Sequence, residues 1–289
     1  MLRRVLAICV ALLACLQLTS AQYLKHPDPR IPRTPDGKPN LAAPAPRLAD
    51  GKPDLNGIWQ ALVPANWDVR PHEARPPPLA MLGAFQADPP NLGIVEGGEI
   101  PYLPAALEQQ KQNYANRFEL DPERKCFMPG VPRATYLPQP FQIFQSGEHL
   151  MITYQFANAV REIHLKDPGP APTSFWMGWS VGRWDGDTLV VDVTNQKPET
   201  WLDRAGNFHS GELRVEERYT VMSPNHLLYE ATLEDPKVYS RPWKISFPLY
   251  RRLETNAELL EFKCVPFAEE ILYGHLRKGY VGERTEEAP

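Results

Sequence analysis

Gly178-Trp179-Ser180-Val181-Gly182-Arg183-Trp184-Asp185-Gly186-Asp187-Thr188-Leu189-Val190-Val191-Asp192-Val193-Thr194 decides the fold. Two short runs rich in β-branched and aromatic residues flank an Asp-Gly-Asp turn, the pattern of a β-hairpin. Neither flank carries the 3.6-residue apolar period of a helix. Working outward, the same texture continues through Phe141–Gln145, Leu150–Phe156, Val160–Leu165, Leu213–Val221, Leu227–Glu234, Ile245–Leu253 and Leu259–Cys264. Ser146-Gly147-Glu148, Ser223-Pro224-Asn225 and Thr255-Asn256 supply turns between them. Upstream, Asn56-Gly57-Ile58-Trp59 reads as the entry to a first strand. So many short strands with short links predict an all-β fold, an antiparallel meander closed as a barrel, because a long open sheet leaves edges to protect.

The remainder of the chain reads differently. Of 32 prolines, 22 fall in 22–140. Proline breaks helix interiors, so this stretch is expected to wrap as extended or looped chain. It holds an imperfect duplication, Pro35-Asp36-Gly37-Lys38-Pro39-Asn40-Leu41 and Ala49-Asp50-Gly51-Lys52-Pro53-Asp54-Leu55, with an Asp-Gly turn in each copy. One helix is expected over 104–120, opened by Pro104 and carrying a narrow stripe of Leu107, Tyr114 and Phe118 toward the protein. The domain reading is a signal peptide over 1–21, a Pro-rich extended segment over 22–55 and a single β-barrel domain over 56–289, with the main meander at 141–264.

Across 289 residues, 31 Lys+Arg against 35 Asp+Glu give a formal net charge of −4, without the basic footprint of a nucleic-acid binder. A hydrophobic fraction of 43% suits a globular chain. The opening Met1–Ala21 reads as an export signal: Arg3 and Arg4, an uncharged apolar core over Val5–Leu16, then Thr19-Ser20-Ala21 before Gln22. That core is too short to span a bilayer, so the mature chain is expected in the periplasm or outside the cell and not as an integral membrane protein. Leu12-Leu13-Ala14-Cys15 offers a competing lipobox with a lipidated Cys15, ranked second because apolar residues follow the cysteine. Cleavage at Ala21 removes Cys9 and Cys15 and leaves Cys126 and Cys264 as a candidate disulfide in an oxidising compartment; two buried free thiols are the other reading.

Gly57-Ile58-Trp59, Pro129-Gly130-Val131-Pro132-Arg133, Ser180–Asp192, His209-Ser210, Glu217-Arg218-Tyr219 and Glu234-Asp235-Pro236 together resemble a family of secreted bacterial proteins of unknown activity. The resemblance spans most of 50–264 and implies export without implying a reaction. The Gly-x-Trp opening ahead of a meander is also similar to lipocalins.

Several residues could carry chemistry. Gly178-Trp179-Ser180-Val181-Gly182 matches G-x-S-x-G, but a nucleophile elbow needs a helix next and a hairpin follows instead. Strand parity is more informative. Glu217 and Tyr219 share a face with Leu213, Val215 and Val221; Arg161 with Ile163 and Leu165; Arg183 with Trp179 and Val181; Arg251 with Ile245, Phe247 and Leu249. One carboxylate and three guanidiniums are thus expected inside, where they must pair, meet water or line a cavity. This gives a ligand-binding expectation of Arg161, Arg183, Arg251, Trp179 and Tyr219, gripping a polar or aromatic small molecule. The catalytic alternative is an acid–base pair of His209, in a loop ahead of the Glu217 strand, with Glu217; a third reading is a structural module without ligand. No nucleotide motif or metal-ligand spacing occurs, so no cofactor and no metal is expected. The sequence leaves the oligomeric state open.

Overall fold

A computed structural model, described over residues 31–276 apart from 39, 41–42 and 77–86, folds nine strands into one closed barrel. The strands are β1 (Gly57–Ala61), β2 (Phe141–Gln145), β3 (His149–Tyr154), β4 (Val160–His164), β5 (Trp179–Asp185), β6 (Thr188–Thr194), β7 (Arg214–Ser223), β8 (His226–Glu234) and β9 (Trp243–Arg251). Sequential neighbours pair, and β1 closes the ring against β9 through Trp59↔Arg251 and Ala61↔Leu249. All ladders are antiparallel except β4–β5, which is parallel. The meander expected to be antiparallel throughout is therefore interrupted once. Residues 165–178 cross from one end of the barrel to the other, the long return that a parallel pair requires.

This topology makes the two ends of the barrel unlike. The links after β2, β5 and β7 are tight turns, with Gly186 at φ 58 in the Asp-Gly-Asp hairpin. The long links between β1 and β2, β6 and β7, and β8 and β9 all leave from the opposite end, and their described residues build a cap over it. The run Leu259–Cys264 forms no strand. Once β1 has paired with β9, the barrel offers no free edge for a further one.

Alternation along each strand sends one face inward. In β9, Trp243, Ile245, Phe247, Leu249 and Arg251 are buried and their neighbours half-buried; β8 buries Leu227, Tyr229, Ala231 and Leu233. A barrel of this size is filled by its own side chains. Tyr136, in a short 3₁₀ turn over Arg133–Tyr136, sets its ring edge-on to Phe247 at 5.9 Å and donates its hydroxyl to the Leu202 carbonyl at 2.6 Å.

The expected helix is broken at Asn116 into α1 (Pro104–Ala115) and α2 (Arg117–Leu120). Its buried face is Ala106, Gln110 and Asn113, whereas Leu107 is 37% exposed. Hydrogen bonding docks the helix beside the one small apolar contact of Ala106. Gln110 Nε2 donates to Ala205 O at 2.8 Å and Asn113 Nδ2 to Gly206 O at 3.2 Å. Gly206 stands at φ 78 with the Asn113 Cβ where its own Cβ would go, so the helix can approach.

The N-terminal wrap repeats itself in three dimensions. Gly37 N donates to Thr34 O at 2.8 Å and Gly51 N to Leu48 O at 2.9 Å, while Arg33 and Arg47 each reach the glycine carbonyl at 2.9 Å. The second copy is fastened to the β5–β6 hairpin by Arg47, which ion-pairs with Asp187. Cys126 and Cys264 form a disulfide with Cα atoms 5.7 Å apart, tying the cap to the segment that leaves the barrel. Among the described residues no helix is long and apolar enough to cross a membrane. The expected signal segment, Cys9 and Cys15 lie outside the described residues.

Candidate functional site

Inside the barrel the parity argument meets its strongest confirmation. Arg161 from β4 and Glu217 from β7 face each other, both essentially excluded from solvent. Arg161 Nη1 donates to Glu217 Oε1 at 3.1 Å, Nη2 bonds Oε2, and Nε donates to Ser180 Oγ at 2.8 Å. The hydroxyls of Tyr219 and Tyr229 donate to Glu217 Oε1 at 3.0 and 2.8 Å. Burial works against the Arg161 charge, but Glu217 beside it holds the guanidinium well above its ordinary value. Burial and then the Glu217 charge push the Tyr219 and Tyr229 hydroxyls well up. The Tyr154 and Thr135 hydroxyls are buried without a hydrogen-bond partner. Chemically this is a paired, desolvated ion bridge rather than a vacant polar floor.

Arg251 also faces inward, at the hairpin end. Its guanidinium lies over the Trp59 ring at 4.3 Å, donates from Nε to Pro224 O at 2.9 Å and bonds the Asn56 carbonyl. Gly57 sits at φ 139, and a Cβ there would occupy the space of the Arg251 Nη1. The Gly-x-Trp motif is therefore the seat of Arg251: glycine clears the space and tryptophan supplies the stacking face.

Arg183 was expected inside and points outward. It is 53% exposed and pairs with Asp192 and Glu216 on the outer surface. The inward face of β5 is made of Ser180 and Gly182 instead. A Cβ on Gly182 would lie 2.6 Å from Ile163 Cγ2, and Ser180 lies under the Arg161 guanidinium. Small residues face in because the neighbouring strand already fills that space with Arg161 and Ile163. Trp179 is accordingly on the outer face, half-buried against Phe175 and His164. Ser180, an acceptor for arginine in a strand, has no base beside it and no helix after it.

His209 is buried in the cap and shares no hydrogen-bond partner with Glu217. Its Nδ1 lies 2.8 Å from the Ser210 carbonyl, which can only accept, so Nδ1 carries the proton. Nε2 lies 2.7 Å from Thr200 Oγ1 and 3.1 Å from Gln196 Nε2. Burial lowers the pKa of the ring and favours this neutral form. Gln196 in turn exchanges two bonds with the Val131 backbone, at 2.9 and 3.0 Å, and so fastens the Pro129–Arg133 loop.

The cap holds the larger concentration of buried charge, and sequence reasoning did not single it out. Arg133 binds both Asp121 oxygens at 2.9 and 3.1 Å, Glu123 at 2.7 Å and Asn66 at 2.8 Å. Arg204 binds the two Glu123 oxygens at 2.9 and 3.1 Å. Burial opposes the Glu123 charge, yet Arg204 and Arg133 hold its carboxyl down at about 2. Beside this network, Asn207 Nδ2 bridges Asp203 at 2.6 Å and Asp68 at 3.3 Å. Burial and the facing Asp68 push the Asp203 carboxyl up to about 7, against the donors that surround it, Val69 N, Ala205 N and Asn207. Arg133 stands in the Pro-Gly-Val-Pro-Arg motif, the one legible signal. The other residues lie in Pro-rich loops where no period assigns a face.

The outer wall of this network forms a small enclosed cleft lined by Asp88, Arg117, Phe118, Asp121, Arg124, Arg204 and Glu269. Its volume is about 20 Å³, the room of one or two water-sized groups. The disulfide holds two of its walls together, since Arg124 lies two residues before Cys126 and its carbonyl accepts from Phe267 N at 2.8 Å. Among the described residues no group of three or more His, Cys, Asp or Glu is placed to hold a metal ion. Comparison with protein-family models, with curated proteins and with solved structures finds no match for the chain.

Proposed function

We propose that the chain is an exported small-molecule-binding protein whose ligand sits in the cap cleft and not in the barrel lumen. One contrast carries the reading. The lumen pair Arg161–Glu217 satisfies itself, whereas ionisable side chains of the cap line a small cleft at the outer surface. Charged side chains that converge on a cleft are candidate ligand contacts. The barrel acts as the rigid scaffold and the long loops as the recognising part. Export is supported by the Arg3–Ala21 signal pattern and by the Cys126–Cys264 disulfide, a bond that persists in oxidising compartments. His209 and Glu217, each bonded within its own cluster, lend no support to an acid–base enzyme.

The experiment is native mass spectrometry of the protein isolated from its own periplasm, with intact mass after release of any ligand. The expected polypeptide begins at Gln22, contains no alkylatable thiol before reduction, and carries a dissociable small molecule. A lipid on Cys15 would overturn the cleavage site. A bare chain that also shows no melting shift with a broad solute panel would leave the structural-module reading in place of this one.

A further inference from the structure

Arg124 is the most unusual side chain in the cleft. It is 6% exposed, and its Nη1 bonds the Phe118 carbonyl. Its Nη2 is buried and makes no hydrogen bond. The nearest described carboxylates, Glu269 and Glu270, stand 4.0 and 3.9 Å away, within Coulombic reach but beyond hydrogen-bond contact. Native proteins rarely leave a buried charged donor without an acceptor, because its desolvation then goes uncompensated. A group that supplies an acceptor oxygen at this position completes it.

The neighbours specify the charge of that group. Arg117 stacks on Phe118 and Tyr114 at 4.3 and 4.2 Å and donates to Tyr114 O at 2.9 Å; among the described residues no carboxylate comes within ion-pair distance of it. Arg204 is drawn toward Glu123 on one side and meets Glu269 at 3.4 Å on the other. The acids on the lining are already engaged. Asp121 gives both oxygens to Arg133, and Asp88 accepts from Arg75 at 3.3 Å. Burial lowers the Arg124 pKa against the charges of Glu269, Glu270 and Asp121; what Nη2 lacks is a hydrogen-bond acceptor in contact.

We infer that the cap cleft takes a small oxyanion, a phosphate- or carboxylate-sized group, with Arg124 as the buried anchor and Arg117 and Arg204 at its rim. This rests on the cap cleft being the ligand site. The cleft has room for one or two water-sized groups, so it admits the oxygens of such a group and leaves the rest of the ligand outside. Planar guanidiniums suit such oxygens because their donors match carboxylate and phosphate geometry.

The test is titration calorimetry on the oxidised full chain at low ionic strength. Inorganic phosphate, sulfate and acetate serve as probes, with chloride at matched ionic strength and glycerol as controls. Binding of at least one oxyanion is expected where chloride and glycerol give none, and the arms separate a phosphate-like from a carboxylate ligand. Arg124→Gln is expected to weaken that binding roughly tenfold or more, in line with loss of a charge-assisted hydrogen bond. Arg117→Gln lies nearer solvent, leaves the buried anchor in place, and is expected to weaken binding severalfold with an unchanged melting temperature. It keeps the test decisive if the Arg124 variant does not fold. Oxyanion binding unchanged in both variants would overturn the location. Glycerol or other neutral solutes binding in an Arg124-dependent way, with no oxyanion response, would overturn the anion inference and keep the cleft as a ligand site. No response to any probe would overturn both.

Discussion

At the scale of single residues, the ion bridge in the lumen and the seat of Arg251 make opposite demands on stability. Glu217 accepts from Arg161, Tyr219 and Tyr229 with almost no water nearby. Removing one partner leaves the other charge buried and uncompensated, at a cost of about 3–5 kcal/mol. Glu217→Gln and Arg161→Met are each expected to lose that much in denaturant melts, and the double variant to lose far less than the sum, since only contacting residues couple. Additive losses below about 0.5 kcal/mol would place both charges in water. Gly57→Ala is expected to cost more than about 1 kcal/mol, because φ 139 suits glycine and the Arg251 guanidinium occupies the Cβ position. The same substitution in an Arg251→Ala background should cost less, because only the backbone penalty remains. Equal costs in both backgrounds would show that the guanidinium does not crowd Gly57.

At the scale of elements, the loops of the cap are held by two carboxylates that titrate in opposite senses. Glu123 is held down at about 2 by Arg204 and Arg133, against an ordinary value of 4.5. Its contribution is therefore present above pH 4.5 and is lost as pH falls toward 2. Asp203 is raised from 3.8 to about 7. The folded state then holds a proton that the unfolded chain releases, so its contribution is full below pH 4 and is lost as pH rises through 7. Melting temperature against pH is thus expected to peak in the mildly acidic range. Glu123→Gln should flatten the acid limb and Asp203→Asn the limb between pH 4 and 7, whatever each does to absolute stability. A limb unchanged by its own substitution would assign that limb to other groups. The disulfide acts on the same elements, closing a loop of sequence separation 138 that contains β2 to β9. Cys126→Ser with Cys264→Ser is expected to lower stability by about 2–5 kcal/mol. It should also weaken any cleft ligand, since the bond fixes Arg124 beside Glu269; a variant with unchanged binding would show that the cap keeps its shape unaided.

At the scale of the whole molecule, the barrel separates a self-contained lumen from a charged cap, and that division explains what could be read in advance. Strand alternation is a local property. A residue such as Glu217 or Arg251 announces its inward position through neighbours two residues away, and those assignments, with the hairpin at Asp185–Asp187, were legible without coordinates. Cys126 and Cys264 were legible as a candidate pair, with two free thiols as the other reading, and the structure joins them. Arg183 was misplaced because the inward face of β5 is chosen by Arg161 and Ile163 on another strand, and bulk on β5 itself carries no trace of that choice. The parallel β4–β5 pair depends on where 165–178 returns, which no residue in that segment encodes. The cap was hidden for the same reason. Arg204 meets Glu123 across 81 residues and Asn207 meets Asp68 across 139, between loops without period. Sequence by itself determined the nine barrel strands, the alternation along β4, β7 and β9 and the hairpin turns, because each follows from near neighbours. Tertiary structure alone decided the one parallel pair, the inward face of β5 and the charged cleft, because desolvation and ion pairing depend on groups that only closure of the barrel brings together.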